Sequence, residues 1–390
     1  MSAVFGSNAF LTVAITSLVL LAGCAAPAPP TPAPTKQPVV EPTKPVAKEA
    51  AKPVDKPVEK AVEKAAPKVA MPARLVPAVK VRMGDQATAS DGPMYVALEK
   101  GYFLEQGIDL ELTSFDSSAK VIPAIAAGQL EAVGAGSGPG LFNAYYRGID
   151  IRVVADRARN VPGHEFATLT MRADLQDRVK DFKDLRGLKI SVASKASVSL
   201  PQIAKALAKG GLTTKDIDLV EMPFMDSLAA FANKGIDGAL LIEPFGTQAA
   251  DRGLAFNWKR VHPDFYPNHQ AGVLMFGAEF HQRQPEVARR FVIAYIKGIR
   301  AYMDAFDRNA DTDAIINVLT KYTSLKDPAV YRKVRTPGFD RNGYVFVQHL
   351  IDDQNLYVDE GLMKPNEKID MNKLVDHSYV EYALSILGKQ

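Results

Sequence analysis

From Val81 onward the chain alternates short apolar runs with stretches of helical period, and Gly or Pro punctuates each change. Val81 to Gly84 reads as a strand, residues 86–92 are small and polar, and Pro93 opens a helix whose apolar positions Met94, Val96, Ala97 and Leu98 stop at Gly101. The order then repeats. Leu188 to Ala193 reads as a strand, Ser194 to Leu200 as a polar loop, and Pro201 opens a helix (Ile203, Ala204, Leu207) closed by Gly210 and Gly211. Ile108-Asp109-Leu110 answers Ile217-Asp218-Leu219, and helices near 119–127 and 226–234 lead into Gly128-Gln129-Leu130-Glu131-Ala132-Val133 and Gly235-Ile236-Asp237-Gly238-Ala239-Leu240. Each is a turn into a small-residue strand that a buried parallel sheet accepts. Two such runs predict two α/β lobes with largely parallel sheets. A strand at Gly272 to Phe276 follows, then a long helix from Pro285 with a buried stripe of Phe291, Val292, Tyr295, Ile299, Tyr302, Met303 and Phe306, and further helices over 312–387.

The first 80 residues obey another pattern. Ala9 to Ala22 is apolar except for Thr12, Thr16 and Ser17, shorter than the ~20 residues a spanning helix needs, and fits a signal-peptide core. It ends in Leu21-Ala22-Gly23-Cys24, similar to the bacterial lipobox, so Cys24 is the expected lipidation site. Residues 25–80 repeat Ala, Pro, Val and Lys, as in Lys52-Pro53-Val54-Asp55 and Lys56-Pro57-Val58-Glu59. Such a segment has too little to bury, and in polyproline form at ~3.1 Å per residue it would reach roughly 170 Å. The expected organisation is a signal peptide at 1–23, a lipidated and disordered tether at 24–80, lobe one at 81–175 and 267–390, and lobe two at 176–266.

Charge sharpens this division. The tether holds ten Lys/Arg against five Asp/Glu, leaving 37 against 39 elsewhere, so the basic balance of the +3 chain belongs to the tether, at +5, and the body carries −2. A nucleic-acid-binding body is therefore not expected. With Cys24 the only cysteine, disulfides, iron–sulfur clusters and thiol chemistry are excluded from the body. The six histidines (His164, His262, His269, His281, His349, His377) show no HExxH or HxH spacing, and there is no GxSxG elbow. No metal, cofactor or catalytic residue is expected.

In open parallel sheets ligands sit at the carboxyl ends of strands, which singles out four loops. The first holds Gln86, Thr88, Ser90 and Asp91 before a helix start; the second is Gly134-Ala135-Gly136-Ser137-Gly138-Pro139, where glycines admit close backbone approach and Ser137 can donate. In lobe two the counterparts are residues 194–199, with Lys195, Ser197 and Ser199, and Glu243-Pro244-Phe245-Gly246. Glu243 follows a buried strand and needs a partner; solute, backbone and cation remain open. Arg157 and Arg159, like Asn160 and Asn268-His269, are placed near the crossings between lobes, where arginines either hold an oxyanion or pair with acids. The predicted solute-binding set is Gln86, Thr88, Asp91, Gly136, Ser137, Gly138, Arg157, Lys195, Ser197, Ser199 and Glu243.

The stretches GPMYVALEKGYFLEQGIDLEL from Gly92, AIAAGQLEAVGAG from Ala124, DLRGLKISV from Asp184 and LIEPF from Leu241 resemble the ABC-transporter substrate-binding family for nitrate, sulfonate, taurine and thiamine-pyrimidine. That resemblance implies a two-lobed periplasmic-binding-protein type II fold with an interlobe cleft. It implies hinge closure on one small polar molecule, delivery to an inner-membrane ABC permease, and an extracytoplasmic monomer, with which the lipobox and tether agree independently as a lipid anchor. The family also contains a thiamine-pyrimidine synthase, whose cysteine-rich motif has no counterpart here. An envelope interaction lipoprotein that does not transport is the third alternative.

Overall fold

A computed structural model describes residues 69–115 and 118–390. The apolar run, Cys24 and nearly all of the tether lie outside the described residues. Among the described residues, ten strands form two five-stranded sheets. β1 (Val79–Asp85), β2 (Ile108–Ser114), β3 (Ala132–Gly136) and β4 (Arg152–Arg159) belong to the first sheet. β5 (Ala167–Arg172), β6 (Lys189–Val192), β7 (Asp218–Glu221), β8 (Gly238–Ile242) and β9 (Ala255–Arg260) make the second, and β10 (Gln270–Phe276) returns to the first. The orders are β2-β1-β3-β10-β4 and β7-β6-β8-β5-β9.

Each sheet combines a parallel trio with one reversed strand. β1 runs parallel to β2 and β3, while β10 lies antiparallel to both β3 and β4. In the second sheet β6 runs parallel to β7 and β8, while β5 lies antiparallel to β8 and β9. Strands next but one across a reversed strand point the same way, so β1 to β4 all end at one edge, where β10 begins. β6 to β9 likewise end together, beside the start of β5.

This arrangement corrects one expectation. Residues 167–172, assigned above to lobe one, are β5 and pair within the second sheet, so the first crossing runs over 160–166 and not near 175. Arg157 and Arg159 lie at the end of β4, an outer strand of the first sheet, immediately before that crossing. The run Arg152 to Arg159 carries three arginines and an aspartate, so its apolar signal is weak, yet all but its two ends are buried.

The second crossing covers 261–269, and the two are bonded to each other through Asn160 N–H to His269 C=O at 3.0 Å. The helix Pro285–Arg308 buries the stripe expected of it except for Phe306, which is half-buried; Phe291 meets the Phe276 ring edge-on at 5.5 Å, and the Tyr295 hydroxyl donates to the Asp156 carbonyl at 3.0 Å. The late helix Val347–Asp359 packs on Pro139–Tyr146 of lobe one and on Ser199–Lys209 of lobe two. Among the described residues no helix is long and apolar enough to cross a membrane.

Candidate functional site in the interlobe cleft

Asp85 ends β1 and is buried, accepting from Ser114 Oγ at 2.7 Å and from Ala87 N–H at 2.9 Å. Burial first, and the neighbouring Asp91 second, raise its pKa above the ordinary carboxylate range. The following loop is strained, since Ala87 has φ +50°. It closes on Asp91, whose Oδ2 accepts from Gln86 N–H at 3.2 Å, Thr88 N–H at 3.3 Å and Thr88 Oγ1 at 3.2 Å. Ser118 Oγ joins two loops, donating to Gln86 Oε1 at 3.3 Å and accepting from Gly136 N–H at 3.1 Å.

Beneath this loop, Asp91 Oδ1 accepts from Arg157 Nε at 2.7 Å, with side-chain exposures of 1% and 6%. The pair reaches from the start of the helix Gly92–Glu99 to β4 beneath Gly134. A Cβ on Gly134 would stand 2.7 Å from Arg157 Nε, so the small residue in β3 is a condition of the ion pair. Thr88 Oγ1 lies 3.4 Å from another Arg157 nitrogen. Arg159 is equally engaged, with Nε 3.1 Å from Gln270 Oε1 and 3.2 Å from Asp156 Oδ2.

The second lobe is looser. Ser197 Oγ donates to the Ser194 carbonyl at 2.7 Å and accepts from Ser199 N–H at 3.3 Å, so it serves its own turn. Glu221 Oε1 accepts from Lys195 N–H at 2.6 Å and from Ser194 Oγ at 3.0 Å. Half-buried Glu243 accepts from Thr247 N–H at 3.1 Å, and its burial raises its pKa. The edges touch where a Cβ on Gly138 would lie 3.0 Å from the Ala196 carbonyl.

Between them is a cavity of about 50 Å³ lined by Thr88, Ser90, Phe166, Glu243, Phe245 and Arg335, among others. Small-molecule sites are usually ~300–1,000 Å³, and this cavity is well below that range. Two polar atoms on the lobe-one edge are buried without a hydrogen-bond partner, Ser137 Oγ and Asn160 Nδ2.

Of the predicted set, the structure therefore brings Gln86, Thr88, Asp91, Gly136 and Arg157 into one bonded cluster. Ser137 is buried beside it, Gly138 meets the loop of Lys195, Ser197 and Ser199, and Glu243 lines the cavity with Thr88. A second polar cluster went unread in the sequence. Gln202 Nε2 lies 3.0 Å from His269 Nδ1, His269 Nε2 lies 3.1 Å from Asp353 Oδ2, and Tyr266 OH donates to Asp353 Oδ1 at 2.8 Å. Next to it His349 Nδ1 accepts from Gln270 N–H at 3.2 Å, and burial with His269 nearby pushes its pKa down to about 3. Of these residues only His269 had a signal, its place near a crossing; Gln202 and Asp353 are separated from it by 67 and 84 positions.

Residues 89–307, more than half of the chain, match the family described as NMT1/THI5 like. The riboflavin-binding protein RibY of Chloroflexus aurantiacus is 23% identical over 292 residues, covering 74% of this chain and 72% of RibY. Among solved structures, the nitrate-binding protein NrtA of Synechocystis PCC 6803 superposes with a TM-score of 0.66 at 13% identity, covering 80% of this chain and 89% of NrtA. The aliphatic sulphonate-binding protein SsuA of Escherichia coli gives 0.62 at 17%, covering 76% and 92%. The desulfurization enzyme DszB gives 0.55 at 15%, covering 78% and 99%, so this fold also houses an enzyme. These structural likenesses establish the periplasmic-binding-protein fold.

Proposed function

This chain belongs to the NMT1/THI5-like family, and on that premise we propose that it is the extracytoplasmic solute-binding component of an ABC importer. It captures a small polar molecule by hinge closure and hands it to a membrane permease. The observation that carries this reading is the meeting of two sheet edges. The carboxyl ends of β1 to β4 and β6 to β9 both open on the cleft, two short crossings join them, and Ser137 Oγ and Asn160 Nδ2 are buried there unpartnered. Such an edge is where open α/β sheets bind ligands. Lipidation at Cys24 would hold the body to a membrane through the tether, with the permease beside it.

Native mass spectrometry of the purified chain is expected to show one small solute per chain, and that solute, added back, to raise the melting temperature. A chain that carries no solute and is stabilised by none from a cell extract would overturn the reading. Cys24→Ala is expected to release the processed protein into the soluble fraction; processed protein that stays with membranes would refute the anchor.

A further inference from the structure

We propose that the edge of lobe one where the tether joins the body is a face that lies on an anionic lipid surface. The proposal is independent of what the cleft binds. Residues 69–78 cross this edge as a seated strap. Val69 N–H donates to the Ser385 carbonyl at 2.9 Å, the buried Arg290 guanidinium donates to the Ala73 carbonyl at 2.6 Å, and Met71 Sδ accepts from Gln106 Nε2 at 3.4 Å. Gly107, with φ +75°, lets the strap pass, because a Cβ there would stand 2.5 Å from the Leu75 carbonyl oxygen. Leu75 itself packs against the core of lobe one. With its backbone held and Leu75 inside, the strap turns its other apolar side chains out. Val76 is 87% exposed and Val69 50%, while Met71 and Leu104, the latter on the adjoining helix Tyr102–Glu105, are each 48% exposed. Seven large apolar side chains are exposed among the described residues, and these four share one edge. Apolar residues exposed singly need no partner, but a group gathered on one edge marks a contact surface.

Charge decides which partner that is. From Lys64 to Lys80 the sequence carries four basic residues, Lys64, Lys68, Arg74 and Lys80, and no acidic one. Arg74 stands exposed on the strap among the apolar side chains. The bordering acids are mostly neutralised: Glu111 lies 3.4 Å from Lys80, Glu286 lies 2.8 Å from Arg290 and Glu105 pairs with Lys297, while Asp109 is an exposed acid of this edge outside those pairs. A basic segment interleaved with exposed apolar side chains fits the headgroup layer of an anionic bilayer, where each Lys or Arg adds about fivefold in affinity and the apolar tips reach the acyl boundary. A second copy of this chain would meet the same positive charge instead. The strap lies where β1 and β2 begin, opposite the strand ends that border the cleft, so a body resting on lipid through it holds the cleft away from the surface.

Vesicle sedimentation tests this on the processed chain from residue 24 carrying Cys24→Ala, so that neither an acyl chain nor the signal peptide contributes. The chain is expected to bind vesicles of equal parts phosphatidylglycerol and phosphatidylcholine at low salt, to leave them at high salt, and not to bind pure phosphatidylcholine. Lys68→Gln with Arg74→Gln should weaken binding about tenfold or more, and Val76→Ser with Leu104→Ser about threefold or more. Arg74, Val76 and Leu104 are exposed, so the fold should survive both changes, which an unchanged melting temperature checks. No binding to the mixed vesicles would overturn the proposal. Binding that Val76→Ser with Leu104→Ser leaves unchanged would overturn it too, since the charge of the tether would then act alone. Concentration-dependent dimers in sedimentation velocity, lost in that same variant, would put a second copy on this face in place of lipid.

Discussion

The two edges of the cleft are built differently. On lobe one, the loop 86–91 spends its polar groups on itself and on the buried Asp91–Arg157 pair, and Ser118 ties it to β3. On lobe two, the loop 194–199 is partly exposed and bonded mostly within its own turn, while Glu243 lines the cavity and accepts from Thr247 N–H. One edge is a preorganised frame and the other carries adjustable chemistry. Arginines that look like anion ligands in a linear reading are, in the folded chain, part of the frame.

That contrast can be broken most sharply at the ion pair. Asp91→Asn leaves Arg157 buried without a counter-charge and should cost about 3–5 kcal/mol in urea unfolding. A loss below about 1 kcal/mol would mean that Arg157 is free to serve a ligand. The next largest effect concerns pH. His349 is neutral in the folded chain, with its pKa near 3 against 6.5 unfolded, so its contribution is complete above pH 6.5 and is lost as pH falls toward 3. His349→Asn, which keeps an acceptor for Gln270 N–H, should flatten the stability profile over that window, by ~3 kcal/mol at two units below 6.5. Asp85 and Asp156 act in the opposite direction, since burial raises both. Their neutral forms favour the fold below the ordinary carboxylate pKa, and that gain disappears as pH rises through their folded values. Subtracting the variant profile from the parent profile removes their shared contribution.

Tyr266→Phe removes the donor to buried Asp353 and should cost about 1.5–3 kcal/mol, as expected for a hydrogen bond to a charged group. Guanidinium or urea melts check this, and no effect would mean that His269 alone anchors Asp353. Smallest is Ser197→Ala on the looser edge. Its hydroxyl serves a half-buried turn, and stability should shift by less than about 1 kcal/mol. A larger loss would place that loop with the frame.

Much of the fold was legible because its signals are local. Alternating apolar runs, Pro93, Pro285 and the Gly-rich approach to β3 are read within a window of a few residues, and they sufficed for two α/β lobes and for the loops that border the cleft. The site was legible as a set of loops but not as a set of roles. Arg157 was as compatible with a solute as with an acid until Asp91, 66 positions away, was brought against it.

What the sequence by itself determined, then, is where strands and helices start and stop and which polar loops follow them, since backbone propensity and periodicity act between near neighbours. The tertiary structure alone decided that β5 joins the second sheet, that Arg157 is neutralised under Gly134, and that Asp353 reaches His269 and Tyr266 on the second crossing. Strand partnership, desolvation and ion pairing depend on distances in space, and those are set only when the whole chain has packed.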